Sequence, residues 1–148
     1  MSQYVQQSDL SGLIPSEFFT QALDDTNSGS INAALFNQIA VDASGLIDSY
    51  LGTRFAVPFT TPYPVFVVNA AKKLVAEQLY KRRGVADDKN PFSDEAKQLR
   101  SMMVKMAQGE FPLDPGMNRL DPAASIVTLP IRTVTQAVAS GMPDRLNV

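Results

Sequence analysis

Proline and glycine decide what this chain of 148 residues is able to fold into. Pro15, Gly52, Pro64, Gly84 and Gly109 mark off four stretches in which apolar residues recur at three- and four-residue steps. Proline suits the first turn of a helix, where its missing N–H is no loss, and glycine readily takes the left-handed turn that ends one. The spacing therefore predicts four helices. The first spans residues 15–23, with Phe18, Phe19, Ala22 and Leu23 on its apolar side. Residues 24–29, DDTNSG, have loop chemistry. Ser30 is the expected cap of a second helix running to Leu51, with Ile31, Leu35, Ile39, Ala43, Leu46, Ile47 and Tyr50 as its buried stripe. Gly52 is expected to stop it in a left-handed conformation, and Pro58, Pro62 and Pro64 force an extended connector over residues 55–64. A third helix follows over residues 64–83, burying Val67, Val68, Ala71, Leu74, Val75 and Leu79. A fourth begins at a Ser93 cap, runs to Gly109, and buries Ala96, Leu99, Met103 and Met106.

After Gly109 this pattern stops. Pro112, Pro115, Gly116, Pro122, Pro130 and Pro143 forbid a long helix. Val127, Leu129 and Ile131 instead alternate with Thr128 and Arg132, the period of a β-strand. Pro130 confines such a strand to an edge or an arm, and no second strand of similar quality exists in the chain to pair with it. The expected architecture is mainly α: a small bundle of about four helices over residues 1–109, then an extended C-terminal arm, residues 110–148, containing a short β segment. A lone strand needs a partner from elsewhere: either another protein chain supplies it or the tail is loose.

Composition removes whole classes of chemistry. The chain has no cysteine and no histidine. Disulfides, thiolate nucleophiles, thiolate zinc sites and Ser-His-Asp triads are thus unavailable. No phosphate-binding glycine loop or HExxH motif occurs. Asp25, Asn27 and Gly29 are spaced like the start of a calcium loop, but no Glu follows at the closing position. Asp42 and Asp48 lie six residues apart on one helix, on different sides, and make no convergent acid pair. No catalytic, metal or cofactor residue is expected. A net charge of −2 disfavours general nucleic-acid affinity, and no apolar run approaches the roughly 18–20 residues of a membrane span. The first residues, MSQYVQQSDL, lack the features of a signal peptide, which predicts a cytosolic product.

Charge is distributed unevenly. Asp9, Glu17, Asp24, Asp25, Asp42 and Asp48 dominate the first half, whereas Lys72, Lys73, Lys81, Arg82 and Arg83 form the one basic concentration. The last three suit a helix C-terminus, and the asymmetry suits head-to-tail contact between identical subunits.

The segment AVDASGLIDSYLGTRFAVPF, residues 40–59, gathers Asp48, Tyr50, Gly52, Arg54 and Pro58 into a helix end and its exit. It reads as a structural corner, with Tyr50 and Leu51 in the core and Arg54 tied to Asp48 or to a carbonyl. The run Ile-Asp-Ser-Tyr-Leu-Gly-x-Arg-Phe-x-x-Pro resembles that of the Mu-like head-to-tail connector (adaptor) proteins of tailed bacteriophages. The likeness covers residues 8–109 and leaves the Pro-rich tail outside. It implies a structural virion protein without catalytic residues or cofactor, assembling as a ring, usually a dodecamer, under the portal. Its implied partners are itself, the portal and a head-closure or tail-terminator protein, with DNA passing through the hole and no membrane involved. The implied location is the virion neck, after assembly in the host cytoplasm. Val127, Leu129, Ile131, Arg132, Lys81, Arg82 and Arg83 are the expected subunit or portal contacts. A small helical DNA-binding or regulatory protein using residues 72–83 is the alternative, and a carboxylate-based lytic enzyme the third reading.

Overall fold

A computed structural model describes residues 2–113. The helices are α1 (Ser16–Leu23), α2 (Ala33–Leu51), α3 (Val65–Arg82) and α4 (Ser93–Gln108), preceded by a 3-10 turn at Gln7–Leu10. Among the described residues there is no strand, only an isolated bridge between Ser11 and Ile14. The fold is mainly α with four helices, as the apolar spacing requires. The expected β segment of the arm lies outside the described residues, as do Val127, Leu129, Ile131 and Arg132. No described helix is long and apolar enough to cross a membrane.

The helix ends follow proline and glycine closely. Pro15 and Pro64 sit at the N-cap, one residue before the expected helical position, where the missing N–H again costs nothing. Gly84 (φ 76°) and Gly109 (φ 89°) take the left-handed conformation after α3 and α4. Gly52 does not. It continues the right-handed turn (φ −64°, ψ −15°), donating its N–H to the Asp48 carbonyl at 2.8 Å. Glycine is needed there for space: a Cβ would lie 2.7 Å from the Asp48 carbonyl oxygen and 3.1 Å from Val57.

Neither serine expected as a cap serves as one. α2 starts at Asn32, whose side chain accepts the Leu35 N–H at 3.2 Å, while Ser30 is held in the preceding loop by Ser28. At α4, Asn90 builds the turn instead. Its side-chain oxygen accepts the Phe92 N–H and its backbone carbonyl accepts the Ser93 N–H. Ser93 is thereby drawn inside the helix and buried, its Oγ without a partner.

α2, α3 and α4 pack against one another in pairs, and α1 lies across α3 and α2. α3 is the central helix and is buried on several sides through Val67, Ala70, Ala71, Leu74, Val75, Ala76 and Leu79. Its alanines let neighbouring helices approach, and Val68 is only half-buried. α2 is rotated from the expected stripe: Phe36, Ala40, Ala43, Ser44, Ile47 and Leu51 are buried, while Leu35, Ile39, Leu46 and Tyr50 are half-buried flanks. In α1, Phe19, Ala22 and Leu23 enter the core, and Phe18 stacks on Tyr80 with ring centroids 4.2 Å apart. In α4, Met103 and Met106 are core while Met102 is exposed, and Leu113 beyond the helix is again buried.

A carboxylate sits inside this bundle. Glu77, 1 % exposed, receives Arg100 of α4 on both oxygens, at 3.4 and 2.6 Å, and Lys81 at 3.0 Å. Asn90 donates to its backbone carbonyl. Glu77→Ala is expected to destabilise the fold by about 2 kcal/mol in urea denaturation, since it leaves a cavity and unpairs the half-buried Arg100 guanidinium and Lys81. Glu77→Leu combined with Arg100→Met should recover most of that loss; equal loss in both variants would show that the charges contribute more than packing can replace.

Candidate functional site

The first residues run back along α2 and close its C-terminal end. Tyr4 is 2 % exposed, and its backbone N–H donates to Ser44 Oγ at 3.0 Å. Ser44 in turn donates to the Ala40 carbonyl at 2.8 Å, so a hydroxyl buried in a helix is fully used. The Tyr4 phenol donates to Asp48 Oδ1 in a short hydrogen bond and accepts the Phe59 N–H at 3.0 Å. Ser2 Oγ donates to the other Asp48 oxygen at 3.0 Å. The Tyr4 ring packs against Tyr63 and Phe59 of the connector, with centroids 5.1 and 5.9 Å away. One tyrosine thus joins the N-terminal segment, α2 and the connector. Burial, together with the neighbouring Asp48 carboxylate, pushes its phenol pKa up to about 12.

Asp48 therefore belongs to Tyr4 and Ser2, and the expected ion pair with Arg54 is absent from the described residues. The Arg54 guanidinium instead lies against Gly109, so close that a Cβ there would meet Nη1 at 2.5 Å. Arg54, just beyond the end of α2, is thus packed on the glycine that ends α4. Tyr50 is half-buried, Leu51 and Phe55 are fully buried, and Pro58 is exposed, its bond to Val57 being cis. Sequence spacing joined Asp48 to Arg54 because they are near in the chain. It missed Tyr4, 44 positions away from Asp48. The available signal was an aromatic beside Val5 in an otherwise polar lead-in.

The basic end of α3 is engaged within the subunit. Lys81 pairs with Glu77 and, at 3.6 Å, with Asp87. Arg82 pairs with Asp25 and donates to the Ala22 carbonyl at 3.0 Å, and Arg83 donates to Gln21 at 3.0 Å. Lys73 pairs with Glu95 at 2.6 Å and lies over the Phe92 ring. Of the five cations, Lys72 and Arg83 make no ion pair among the described residues, Arg83 being held by the neutral Gln21 amide. The acidic loop after α1 and the basic end of α3 are neighbours, so part of the expected charge asymmetry is spent inside one molecule.

The 24–29 loop closes on itself. Asp24 accepts from the backbone N–H groups of Thr26, Ser28 and Gly29, at 3.2, 3.0 and 2.6 Å. These bonds hold its carboxyl below the usual range. Among the described residues no group of three or more carboxylates is placed to hold a metal.

Residues 4–131 match the family model described as Bacteriophage Mu, Gp36. No curated protein matches the chain. The matched stretch starts at Tyr4, spans the corner, and includes Val127, Leu129 and Ile131. The likeness thus extends beyond the 8–109 stretch at both ends and takes in much of the Pro-rich tail.

Tyr4→Phe removes the donor to Asp48 and leaves the buried Phe59 N–H unpaired, at an expected cost of about 2 kcal/mol. A raised phenol pKa means that stability is intact below the unfolded value of 10.0 and is lost as pH rises through about 12. Ultraviolet titration should show one of the four tyrosines ionising late, together with unfolding, and Tyr4→Phe should abolish that step. Gly109→Ala combines a left-handed backbone with the Arg54 contact and is expected to cost on the order of 1 kcal/mol or more in thermal melts; an unchanged melting temperature would refute that packing.

Proposed function

We propose a structural role in the phage particle for this chain, which belongs to the Bacteriophage Mu Gp36 family. Membership makes it a bacteriophage protein of the structural or morphogenetic kind. Within that kind, our reading is a head-to-tail adaptor: a connector whose copies form a ring, a dodecamer by the likeness, joining the portal to the neck or tail. Its further partner is a head-closure or tail-terminator protein, and viral DNA passes through the ring without specific contact. It works in the virion neck after assembly in the host cytoplasm, with no enzymatic step and no cofactor.

The observation that carries this reading is the match from residue 4 to residue 131, which joins the helical corner and the alternating tail segment in one family unit. α4 ends at Gly109 against Arg54, just beyond the end of α2, and Leu113 is the last described residue, still in the core. Such an ending suits an arm that reaches a portal or a neighbouring subunit through Val127, Leu129, Ile131 and Arg132. The exposed rims of Lys81, Arg82 and Arg83 remain contact candidates, but their internal pairing weakens the DNA-binding alternative.

Electron microscopy and sedimentation of the full chain, alone and with the portal of the same phage, test the reading. Rings stacked on portals are expected. A chain ending after Leu113, which keeps the buried core of the described residues, should retain its helical spectrum and cooperative melt yet fail to join the portal. A monomer under all conditions would sink the ring, and affinity for free DNA that falls steeply with salt would favour the DNA-binding reading.

A further inference from the structure

We propose that an apolar groove between the 3-10 turn and α1 receives residues 126–131 of a neighbouring copy of this chain. The groove measures about 920 Å³ and is walled by Leu10, Leu13, Ile14, Pro15, Phe19 and Ile31. Its remaining lining is serine, threonine, glutamine and glycine, with no charged residue at all. Its floor is the buried side of Leu10, Ile14 and Phe19, and its rim is exposed Pro15 with half-buried Leu13 and Ile31, an uncharged trough that a second apolar segment can fill.

The occupant follows from chemistry and reach. Residues 122–131, PAASIVTLPI, carry no charge, and Val127, Leu129 and Ile131 alternate on one side. A neutral apolar row meets a neutral apolar trough. Neither side is suited to sheet pairing. Pro130 has no N–H to donate, and around the groove the N–H groups of Ser11, Leu13 and Ile14 are already taken by the carbonyls of Ser8 and Leu10. Docking is through side chains.

The groove and the end of α4 lie towards opposite ends of α2. Ile31 immediately precedes α2, whereas Gly109 packs on Arg54 just beyond the other end of that helix. The 19 residues of α2 separate the two by about 27 Å, at 1.5 Å per residue. From Leu113 to Val127 the chain can extend up to roughly 46–50 Å, enough to reach an adjacent subunit. One end that offers and an opposite end that receives is the arrangement of a heterologous interface, which closes into rings. The identity of the neighbour rests on the ring reading above; the groove and its occupant rest on the geometry.

Absence of native cysteine makes the test clean. Full-length Leu13→Cys and full-length Leu129→Cys, carrying tags of different size, are mixed and oxidised. A Leu13–Leu129 link between the two species is the expected product, abolished in urea. Thr53→Cys, exposed at the other end of α2, replaces Leu13→Cys as the control and should link poorly with Leu129→Cys. Ile31→Cys is the second groove probe should Leu13→Cys lower the melting temperature. No mixed link from either groove position, or a yield no greater than that of the control, overturns the proposal. So does a Leu13→Cys/Leu129→Cys double variant that links only within single chains. Sedimentation of the unsubstituted chain separates the two ideas: rings without the link refute the groove alone, and absence of rings refutes the ring.

Discussion

Burial of a single carboxylate sets the geometry of the bundle. Taking Glu77 out of water costs several kcal/mol unless its charge and lone pairs are met on the spot. Arg100 from α4 and Lys81 from α3 meet them, and Asn90 in the intervening loop fastens the same turn through the backbone carbonyl. A slip of α4 by one turn, about 5.4 Å, would break the Arg100 contacts on both oxygens at once. Apolar packing between alanine-rich helix faces is forgiving of small shifts; this polar knot is not. It fixes where α4 lies on α3, and so where Gly109 meets Arg54.

The helices were legible because their ends are written in residues with few alternatives. Pro15, Pro64, Gly84 and Gly109 mark boundaries within a residue of those observed, since backbone sterics act locally. What failed were choices between equivalent local options. Ser30 and Asn32 are both good caps, and the choice fell to Asn32 because Ser30 is engaged by Ser28. Ser93 lost its cap role to Asn90, whose side chain also serves Glu77. The stripe of α2 came out rotated because that helix is covered by α3, α4 and the N-terminal segment, a fact no one-face pattern contains.

The corner was recognisable as a corner, but its wiring was not. Asp48 and Arg54 are close in the chain, and each finds its partner far away, in Tyr4 and Gly109. Long-range pairs of this kind leave no periodic trace in a single sequence. The acidic and basic halves show the converse: their separation along the chain is plain, yet folding brings Asp25 to Arg82 and cancels part of the asymmetry.

The start of the described chain and the end of α4 are fastened near the end of α2, Ser2 and Tyr4 on Asp48, and Gly109 under Arg54. The consequence is mechanical. A load applied between Ser2 and Gly109 would be taken first by the Asp48 and Arg54 contacts at the end of α2. The Tyr4 segment is held there by hydrogen bonds to Asp48, Ser44 and Phe59, whereas α3 and α4 are joined through the buried Glu77–Arg100 pair, so the two lie on separate lines of load.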